Sequence, residues 1–232
     1  MEQYNFDKRA REWWPPTRDL VFLHKLNPVR FDYFDGLMKS WKDVKVLDVG
    51  CGGGYTCEFL ARREAAITGT DISERSLEAA RQHALQNGLR IEYKTCTVDR
   101  LPFPDNSFDA VTCFDMLEHV VDKEVTLSEI LRVLKPEGLL FFDTINKSFW
   151  SRLLVIWLGE AISRSFEGGT HEWKYFIEPE RLVALMKKTG FKNIEPAGVR
   201  FKGFNIFRGG LPFRIAAGGT ISVIYFGTAR KP

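Results

Sequence analysis

Apolar and amphipathic segments alternate through the middle of the chain. Residues 44–49 and 66–70 are short apolar runs, and each is followed by polar and apolar positions at helical spacing. Ser73 is a predicted N-cap and Gly88 a predicted C-terminal stop for the second of these helices. Such alternation predicts a parallel sheet with helices on both faces. The predicted strands are 44–49, 66–70, 91–95, 110–114 and 139–144, and the predicted helices are 55–63, 73–87 and 124–134.

Longer segments flank this alternating core on both sides. The residues before it are predicted to be helical, in two pieces around Trp14-Pro15-Pro16. A long insertion follows the core, and after it come one more helix and two strands. We therefore predict one domain rather than two. Its predicted parts are a helical cap 1–41, a core 44–144, an insertion 145–175, and C-terminal elements in 176–232 (helix 179–189, strands 194–201 and 220–228).

Aromatic residues and charges are distributed unevenly. Of the 31 aromatic residues, nine lie in 1–41, six in 42–140 and sixteen in 141–232. The net charge is only +3, which gives no reason to expect a nucleic-acid binder or a disordered acidic tail. No acidic residue follows Glu195, however, so the remaining tail carries six positive charges. This tail is equally consistent with contact to an anionic lipid surface and with a solvated rim at a sheet edge.

The cysteines and the N-terminus indicate the compartment. The four cysteines form no C-x-x-C pair, which argues against a disulfide framework and favours a reducing compartment. The first residues contain no apolar stretch of the kind found in signal peptides. The apolar run 153–158 is far shorter than the roughly 20 residues that cross a bilayer. We expect a cytoplasmic protein, and peripheral contact with the inner face of the membrane stays open.

A glycine-rich loop is the sharpest motif. Residues 46–54 read V-L-D-V-G-C-G-G-G, at the point where the first strand turns into a helix. Glycines at such a turn let the backbone pass close to a ligand. Asp71 lies 21 residues after Gly50, at the end of the second strand, where a carboxylate can accept hydrogen bonds from both ribose hydroxyls of an adenosine. The alternative is a tight turn that binds nothing.

Asp48 discriminates between two cofactor classes. A dinucleotide site has the pattern G-x-G-x-x-G and holds a pyrophosphate, which an acid two residues before the first glycine would repel. The same acid suits the ammonium group of a methionine moiety. The loop therefore favours S-adenosylmethionine over NAD.

Two more segments add to the glycine loop and Asp71. Residues 99–109 read D-R-L-P-F-P-D-N-S-F-D, and residues 131–138 read L-R-V-L-K-P-E-G. Together the four motifs resemble, in order, those of the class I S-adenosylmethionine-dependent methyltransferases, over about residues 44–144. The resemblance implies an α/β, Rossmann-like, doubly wound fold whose seven-stranded sheet is mostly parallel with an antiparallel last strand. The cap would precede this sheet, and a helical insertion would follow the fifth strand.

A narrower resemblance involves segments outside those motifs. Residues 24–30 (H-K-L-N-P-V-R), 116–120 (M-L-E-H-V) and 168–173 (G-G-T-H-E-W) are similar to the ubiquinone-biosynthesis O-methyltransferases, as is R-E-W-W at 11–14. Those enzymes methylate polyprenylated catechols and phenols, which implies a polyprenyl phenol or catechol as substrate. Arg30 would pair with the carboxylate of the cofactor. The residues assigned to the cofactor are Arg30, Asp48, Gly50, Cys51, Gly52, Asp71, Ile72, Thr97, Val98 and Phe114, the last with a plain core role as its alternative.

An acid–imidazole cluster follows the fourth predicted strand. In the family resembled, E-x-x-E-H binds magnesium, and here the segment 115–119 reads D-M-L-E-H, with a shorter acid first. Spacings of i, i+3 and i+4 place Asp115, Glu118 and His119 on one face of a helical turn. The resemblance implies that these three bind Mg²⁺, and the alternative is that His119 acts as a base without metal. Either arrangement would deprotonate a catechol hydroxyl, which is a poor nucleophile while protonated.

The insertion contains an apolar helix-like stretch. Residues 148–166 carry aromatic and aliphatic side chains over most of a helical surface, with Arg152 and Arg164 on a polar side. This pattern fits a core helix of the cap or an interfacial helix lying on an anionic membrane surface. Because a polyprenyl substrate resides in the bilayer, the resemblance favours the interfacial helix.

Three other functions stay open on the sequence. The acceptor could be another lipid or a small phenolic compound, since this fold serves many acceptors. The chain could also be a non-catalytic, cofactor-binding scaffold in a quinone-synthesis assembly, although the acid–imidazole cluster argues against that. A nicotinamide oxidoreductase is disfavoured by Asp48.

Overall fold

A computed structural model describes residues 10–14, 20–151, 175–204, 213–221 and 223–232. The strands in chain order are β1 (Lys45–Val49), β2 (Ala66–Asp71), β3 (Glu92–Thr95), β4 (Phe108–Cys113), β5 (Leu134–Ile145), β6 (Lys192–Phe204), β7 (Phe213–Gly219) and β8 (Ile224–Arg230). The longer helices are α1 (Leu20–Phe34), α2 (Tyr55–Ala61), α3 (Glu74–Gln86), α4 (Lys123–Val133) and α5 (Pro179–Thr189). Short helical turns occupy Ala10–Glu12, Leu117–His119 and Phe149–Ser151.

The strands form one sheet in the order β3-β2-β1-β4-β5-β8-β6-β7. The first five strands pair in parallel, and β8, β6 and β7 add in antiparallel orientation. The predicted α/β, mostly parallel fold is confirmed. The strand count differs from the predicted seven because the other strands were predicted from apolar runs, and β7, which reads F-R-I-A-A-G-G, has an arginine and two glycines in place of such a run.

Helices cover both faces of the sheet because neighbouring strand residues point to opposite sides. Val46 packs with α1, α2 and α3 on one face, whereas Leu47 packs with α4 and α5 on the other. Phe141 and Phe142 on β5 divide between the two faces in the same way. This double core fixes the strand ends, and therefore the loops that carry the predicted site.

The predicted helix signals act as expected on α3. Ser73 accepts a hydrogen bond from the backbone N–H of Ser76 at 3.1 Å and caps the helix. Gly88, just past the end, adopts a φ of 68°. The predicted bounds of β5 were too short: its pairing already begins at Leu134, with a shift in register against β4 between Phe108 and Ala110.

Candidate active site

The carboxyl ends of the five parallel strands lie along one edge of the sheet. Because parallel strands end at the same edge, this is where doubly wound folds bind ligands. Nearly every predicted site residue follows one of these strand ends. They are Gly50, Cys51 and Gly52 after β1, Asp71 and Ile72 at the end of β2, Thr97 and Val98 after β3, and Phe114, Asp115, Glu118 and His119 after β4.

A separate surface hollow of about 730 Å³ opens at the opposite edge of the sheet. Lys45, Ile67 and Leu89 are among the residues that line it. None of the predicted site residues does. The candidate site is therefore defined by its side chains at the carboxyl edge rather than by this cavity.

The glycine loop needs glycine for two separate reasons. Gly50, Gly52 and Gly54 have φ angles of 73°, 51° and 82°, in the left-handed region that disfavours other side chains. A Cβ atom at Gly50 would also lie 2.5 Å from the Met116 side chain, and one at Gly52 would lie 2.6 Å from the Trp13 ring. The loop is thus shaped by its own backbone and by two side chains that pack onto it.

The Asp71 carboxylate is oriented by the backbone around it. Its Oδ2 accepts a hydrogen bond from the N–H of Gly52 at 2.9 Å, and its Oδ1 accepts one from the N–H of Ser73 at 2.8 Å. These two backbone bonds orient the carboxylate at the end of β2, the position from which it is predicted to accept hydrogen bonds from ribose hydroxyls. Ile72, beside it, exposes 39% of its surface and offers an apolar face.

The loop after β3 is tied to the same corner. The N–H of Cys96 donates to the carbonyl of Asp71 at 3.1 Å, and the N–H of Arg100 donates to the carbonyl of Thr97 at 3.3 Å. Val98 packs, partly buried, against the core. Thr97 and Val98 therefore lie next to Asp71, as the predicted adenine contact requires.

Asp48 lies inside the sheet rather than in an open cleft. Its Oδ1 accepts a hydrogen bond from the Thr112 hydroxyl at 2.7 Å, and its Oδ2 accepts one from the Cys57 thiol at 3.3 Å. Burial raises the pKa of Asp48 to about 6, although these two hydrogen bonds lower it. Burial also raises the pKa of Cys51 to about 11, so that thiol stays protonated at neutral pH. The structure thus gives Asp48 and Cys51 packing roles in addition to the predicted cofactor contact.

Arg30 is buried in a charged cluster between α1 and two strand ends. Its Nε donates to Asp143 Oδ2 at 2.5 Å, its Nη1 donates to Asn27 Oδ1 at 3.2 Å, and its Nη2 donates to Asp115 Oδ2. The guanidinium also lies 4.7 Å from the centre of the Phe114 ring. Phe114 is itself buried against the core, stacked on Phe34 at 5.7 Å, so it combines a core role with this contact.

The acid–imidazole segment forms a short turn, Leu117–His119, after β4. Glu118 is buried and accepts a hydrogen bond from the Thr144 hydroxyl at 2.8 Å. His119 is half-buried, and burial lowers its pKa below 6.5, while Asp115 raises it and Lys123 lowers it. The imidazole is therefore neutral near pH 7 and able to take up a proton.

The predicted metal ligands are not arranged around a common point. Asp115 has an ion pair with Arg30, and Glu118 turns towards Thr144. Across the described ranges, no three His, Cys, Asp or Glu side chains are grouped to hold a metal ion. A cation bound by Asp115, Glu118 and His119 would require Asp115 to leave Arg30, so the residues as placed do not fit a metal.

Two functional contacts were missed in the sequence. Asp143 and Thr144, near the end of β5, hold Arg30 and Glu118, whereas the sequence predicted 139–144 only as a strand. The available signal was the change from apolar F-F to polar D-T at the carboxyl end of a buried strand. The second contact is that of Trp13 and Trp14 with the glycine loop, where R-E-W-W had been noticed only as a resemblance.

Those two tryptophans join the N-terminal segment to the loop. Trp13 is buried against Gly52 and donates from Nε1 to the Ser76 hydroxyl at 3.1 Å. Trp14 donates from Nε1 to the Gly53 carbonyl at 2.8 Å and stacks on His83 with ring centres 3.5 Å apart. The predicted helical cap therefore reaches the cofactor loop itself, although residues 1–9 and 15–19 lie outside the described residues.

Solved structures share this fold. A SAM-dependent methyltransferase from Thermotoga maritima superposes with a TM-score of 0.66 at 20% identity, covering 98% of this chain and 96% of its own. Another from Aquifex aeolicus gives a TM-score of 0.61 at 15% identity, covering 88% and 89%. No described helix is both long and apolar enough to cross a bilayer.

Sequence comparisons give the family. Residues 47–142 match the family described as "Methyltransferase domain". The "Ubiquinone biosynthesis O-methyltransferase" of Bordetella avium is 37% identical over 86% of this chain and 82% of its own length. The protein of the same name from Neisseria meningitidis serogroup C is 40% identical over 84% and 83%. The chain therefore belongs to the ubiquinone biosynthesis O-methyltransferase family and is an S-adenosylmethionine-dependent O-methyltransferase.

Proposed function

We propose that the protein methylates a hydroxyl of a polyprenylated phenol or catechol in ubiquinone synthesis, with His119 accepting the proton. One observation carries this proposal: a neutral, half-buried imidazole lies at the same sheet edge as the glycine loop and Asp71. The names of the relatives support the substrate class.

The residues at the carboxyl edge of the sheet suit a positively charged cofactor. When bound, S-adenosylmethionine supplies an electrophilic methyl group on a cationic sulfur. Asp71 would hold the ribose, Ile72, Thr97 and Val98 the adenine, and Arg30 the carboxylate. Carboxylates are concentrated beside this site, at Asp48, Asp71, Asp115, Glu118 and Asp143, and their field favours a cation there.

His119 would remove the proton as the acceptor oxygen attacks the methyl carbon. The new O–C bond forms as the C–S bond breaks, so the electron pair stays on sulfur and the proton passes to His119. No covalent intermediate with the enzyme is needed. Asp115, whose charge acts on the ring, would stabilise the imidazolium that results, as would Glu118, which precedes His119 in the short turn.

A substitution of His119 tests this assignment. We expect His119→Gln to lower kcat for methyl transfer by about 10²–10⁴-fold, the range for loss of a general base. Its affinity for S-adenosylhomocysteine should stay within about twofold of wild type, because the substitution leaves the glycine loop and Asp71 unchanged. The assay follows transfer of a labelled methyl group to a short-chain prenyl catechol.

Chelation supplies the second arm of the same experiment. Because Glu118 is bonded to Thr144, we expect the wild type to keep its rate after divalent metals are removed. A rate that collapses on chelation and returns with Mg²⁺ would favour the metal site instead. If neither His119→Gln nor chelation changes the rate, the cluster has no part in deprotonation.

We further propose that the insertion brings the enzyme to the membrane that contains its acceptor. Residues 152–174 lie outside the described residues, but their flanks are apolar and exposed: Phe149 exposes 71% of its surface and Tyr175 exposes 47%. The two ends of the insertion meet at the carboxyl edge of the sheet, where the N–H of Ile177 donates to the carbonyl of Ile145 at 3.0 Å.

Vesicle binding tests this proposal. We expect co-sedimentation with vesicles containing anionic phospholipid, weakened several-fold by Trp150→Ala with Trp157→Ala and by added salt. Leu85→Ala is the matched control, because Leu85 is 79% exposed but lies at the opposite sheet edge. Equal binding by wild type, double variant and control, or no binding at all, would contradict the proposal.

A second acceptor class is tested in the same assay. Methyl transfer to a small catechol without a prenyl tail, at an efficiency equal to that of the prenylated compound, would favour a soluble phenolic acceptor.

A further inference from the structure

Arg30 is held by two carboxylates of very different accessibility. The side chains of Arg30 and Asp143 are 3% and 1% exposed, whereas that of Asp115 is 28% exposed. Asp143 Oδ2 bonds Nε and also lies against Nη2, whereas Asp115 Oδ2 bonds Nη2 alone. A ligand arriving from solvent therefore meets the Arg30–Asp115 contact before the Arg30–Asp143 contact.

Asp143 also fixes the backbone from which Asp115 projects. Its Oδ1 accepts a hydrogen bond from the N–H of Asp115 at 2.7 Å, while its Oδ2 accepts from Arg30. Asp115 has a φ of 51°, in the left-handed region. The Asp115 side chain can thus change rotamer while its backbone stays bonded to Asp143.

We propose that the cofactor's carboxylate exchanges with Asp115 on Arg30, and that Asp143 is the positioning residue that keeps the guanidinium in place throughout. This inference rests on the proposed function, in which Arg30 receives that carboxylate. An exchange avoids the cost of leaving a buried guanidinium without its second partner, because one carboxylate replaces another.

The exchange makes completion of the acid–imidazole cluster depend on cofactor binding. While Asp115 is paired with Arg30, the guanidinium partly balances the negative charge that also acts on His119. After the exchange, the Asp115 carboxylate, two residues after the end of β4, would act on the imidazole alone and stabilise the protonated ring. The acid–imidazole cluster is therefore completed only when the cofactor is present, and the acceptor is expected to bind second.

Two ligands and two variants test the exchange. The dissociation constants of S-adenosylmethionine and of its decarboxylated analogue are measured by calorimetry without acceptor. The ratio of the analogue's constant to that of the full cofactor reports the carboxylate contact alone, because both ligands carry the sulfonium. Asp115→Asn suits the left-handed backbone, since Asn is tolerated there.

The two variants should change this ratio in opposite directions. Asp115→Asn removes the competing carboxylate and should raise the ratio about fivefold, the effect of a partly exposed ion pair. Asp143→Asn removes the anchor and should lower the ratio at least about tenfold, the effect of one charge-assisted hydrogen bond. Asp109→Asn, at the amino end of β4 and bonded to Lys135, is the matched control and should leave it unchanged.

Kinetics separate positioning from a structural role. Asp143→Asn should raise KM for the cofactor more than it lowers kcat, and Asp115→Asn should lower kcat while leaving that KM equal or smaller. A ratio unchanged or lowered in Asp115→Asn overturns the exchange, and this holds even if Asp143→Asn fails to fold. Wild-type protein that binds neither ligand would overturn the proposed function, which separates that failure from a failure of the exchange.

Discussion

The buried carboxylate of Asp48 lies beneath the glycine loop and makes the fold sensitive to pH. Its pKa is raised from 3.8 to about 6 by burial, with Thr112 and Cys57 as hydrogen-bond donors. Between these two values the folded protein binds more protons than the unfolded chain. This contribution to the free energy of unfolding is therefore present at low pH and is lost as pH rises through about 6.

The substitution Asp48→Asn should remove that pH dependence. Relative to wild type, the variant's free energy of unfolding should rise by about 2 kcal/mol between pH 4.5 and pH 7.5. Urea unfolding of both proteins in the same buffers measures the difference and cancels the other titrating groups. A difference that stays constant with pH would show that Asp48 is not the group responsible.

At the scale of elements, the N-terminal segment and the glycine loop form one unit. Trp14 contacts the Gly53 carbonyl and the His83 ring, and His83 Nδ1 lies 2.5 Å from Glu58 Oε1 on α2. The segment thus joins the loop to the helix that follows it and to α3. Glycines make the loop backbone flexible, so contacts that hold it in its bound shape lower the entropy that is lost when the cofactor binds.

Substitutions at Trp14 should therefore affect stability and cofactor affinity together. Trp14→Phe keeps a ring against His83 but loses the hydrogen bond to Gly53, which should cost about 1 kcal/mol of stability. Trp14→Ala loses both contacts and should cost more. We expect the dissociation constant for S-adenosylhomocysteine to rise in the same order, measured alongside thermal unfolding. Affinity that stays at the wild-type value while stability falls would restrict Trp14 to a structural role.

At the scale of the whole molecule, local signals predicted the core well and long-range pairs poorly. The glycine loop, the Ser73 cap and helix α5 each depend on residues that are neighbours in the chain, so their pattern is visible in the sequence. Arg30 and Asp143 are 113 positions apart, and their contact exists only because α1 packs across the end of β5. Arg30 also pairs with Asp115, 85 positions further along the chain, and the local spacing of the acid–imidazole segment could not reveal that contact.

The joined ends of the insertion have an evolutionary consequence. The carbonyl of Ile145 and the N–H of Ile177 are hydrogen-bonded, so the chain that leaves the end of β5 comes back beside that end before the next helix begins. A segment closed at its base can be lengthened, shortened or replaced at small thermodynamic cost, about 0.6 kcal/mol for each doubling of loop length. Relatives can therefore exchange this segment as a module and acquire new acceptors, while the sheet and the cofactor loop stay the same.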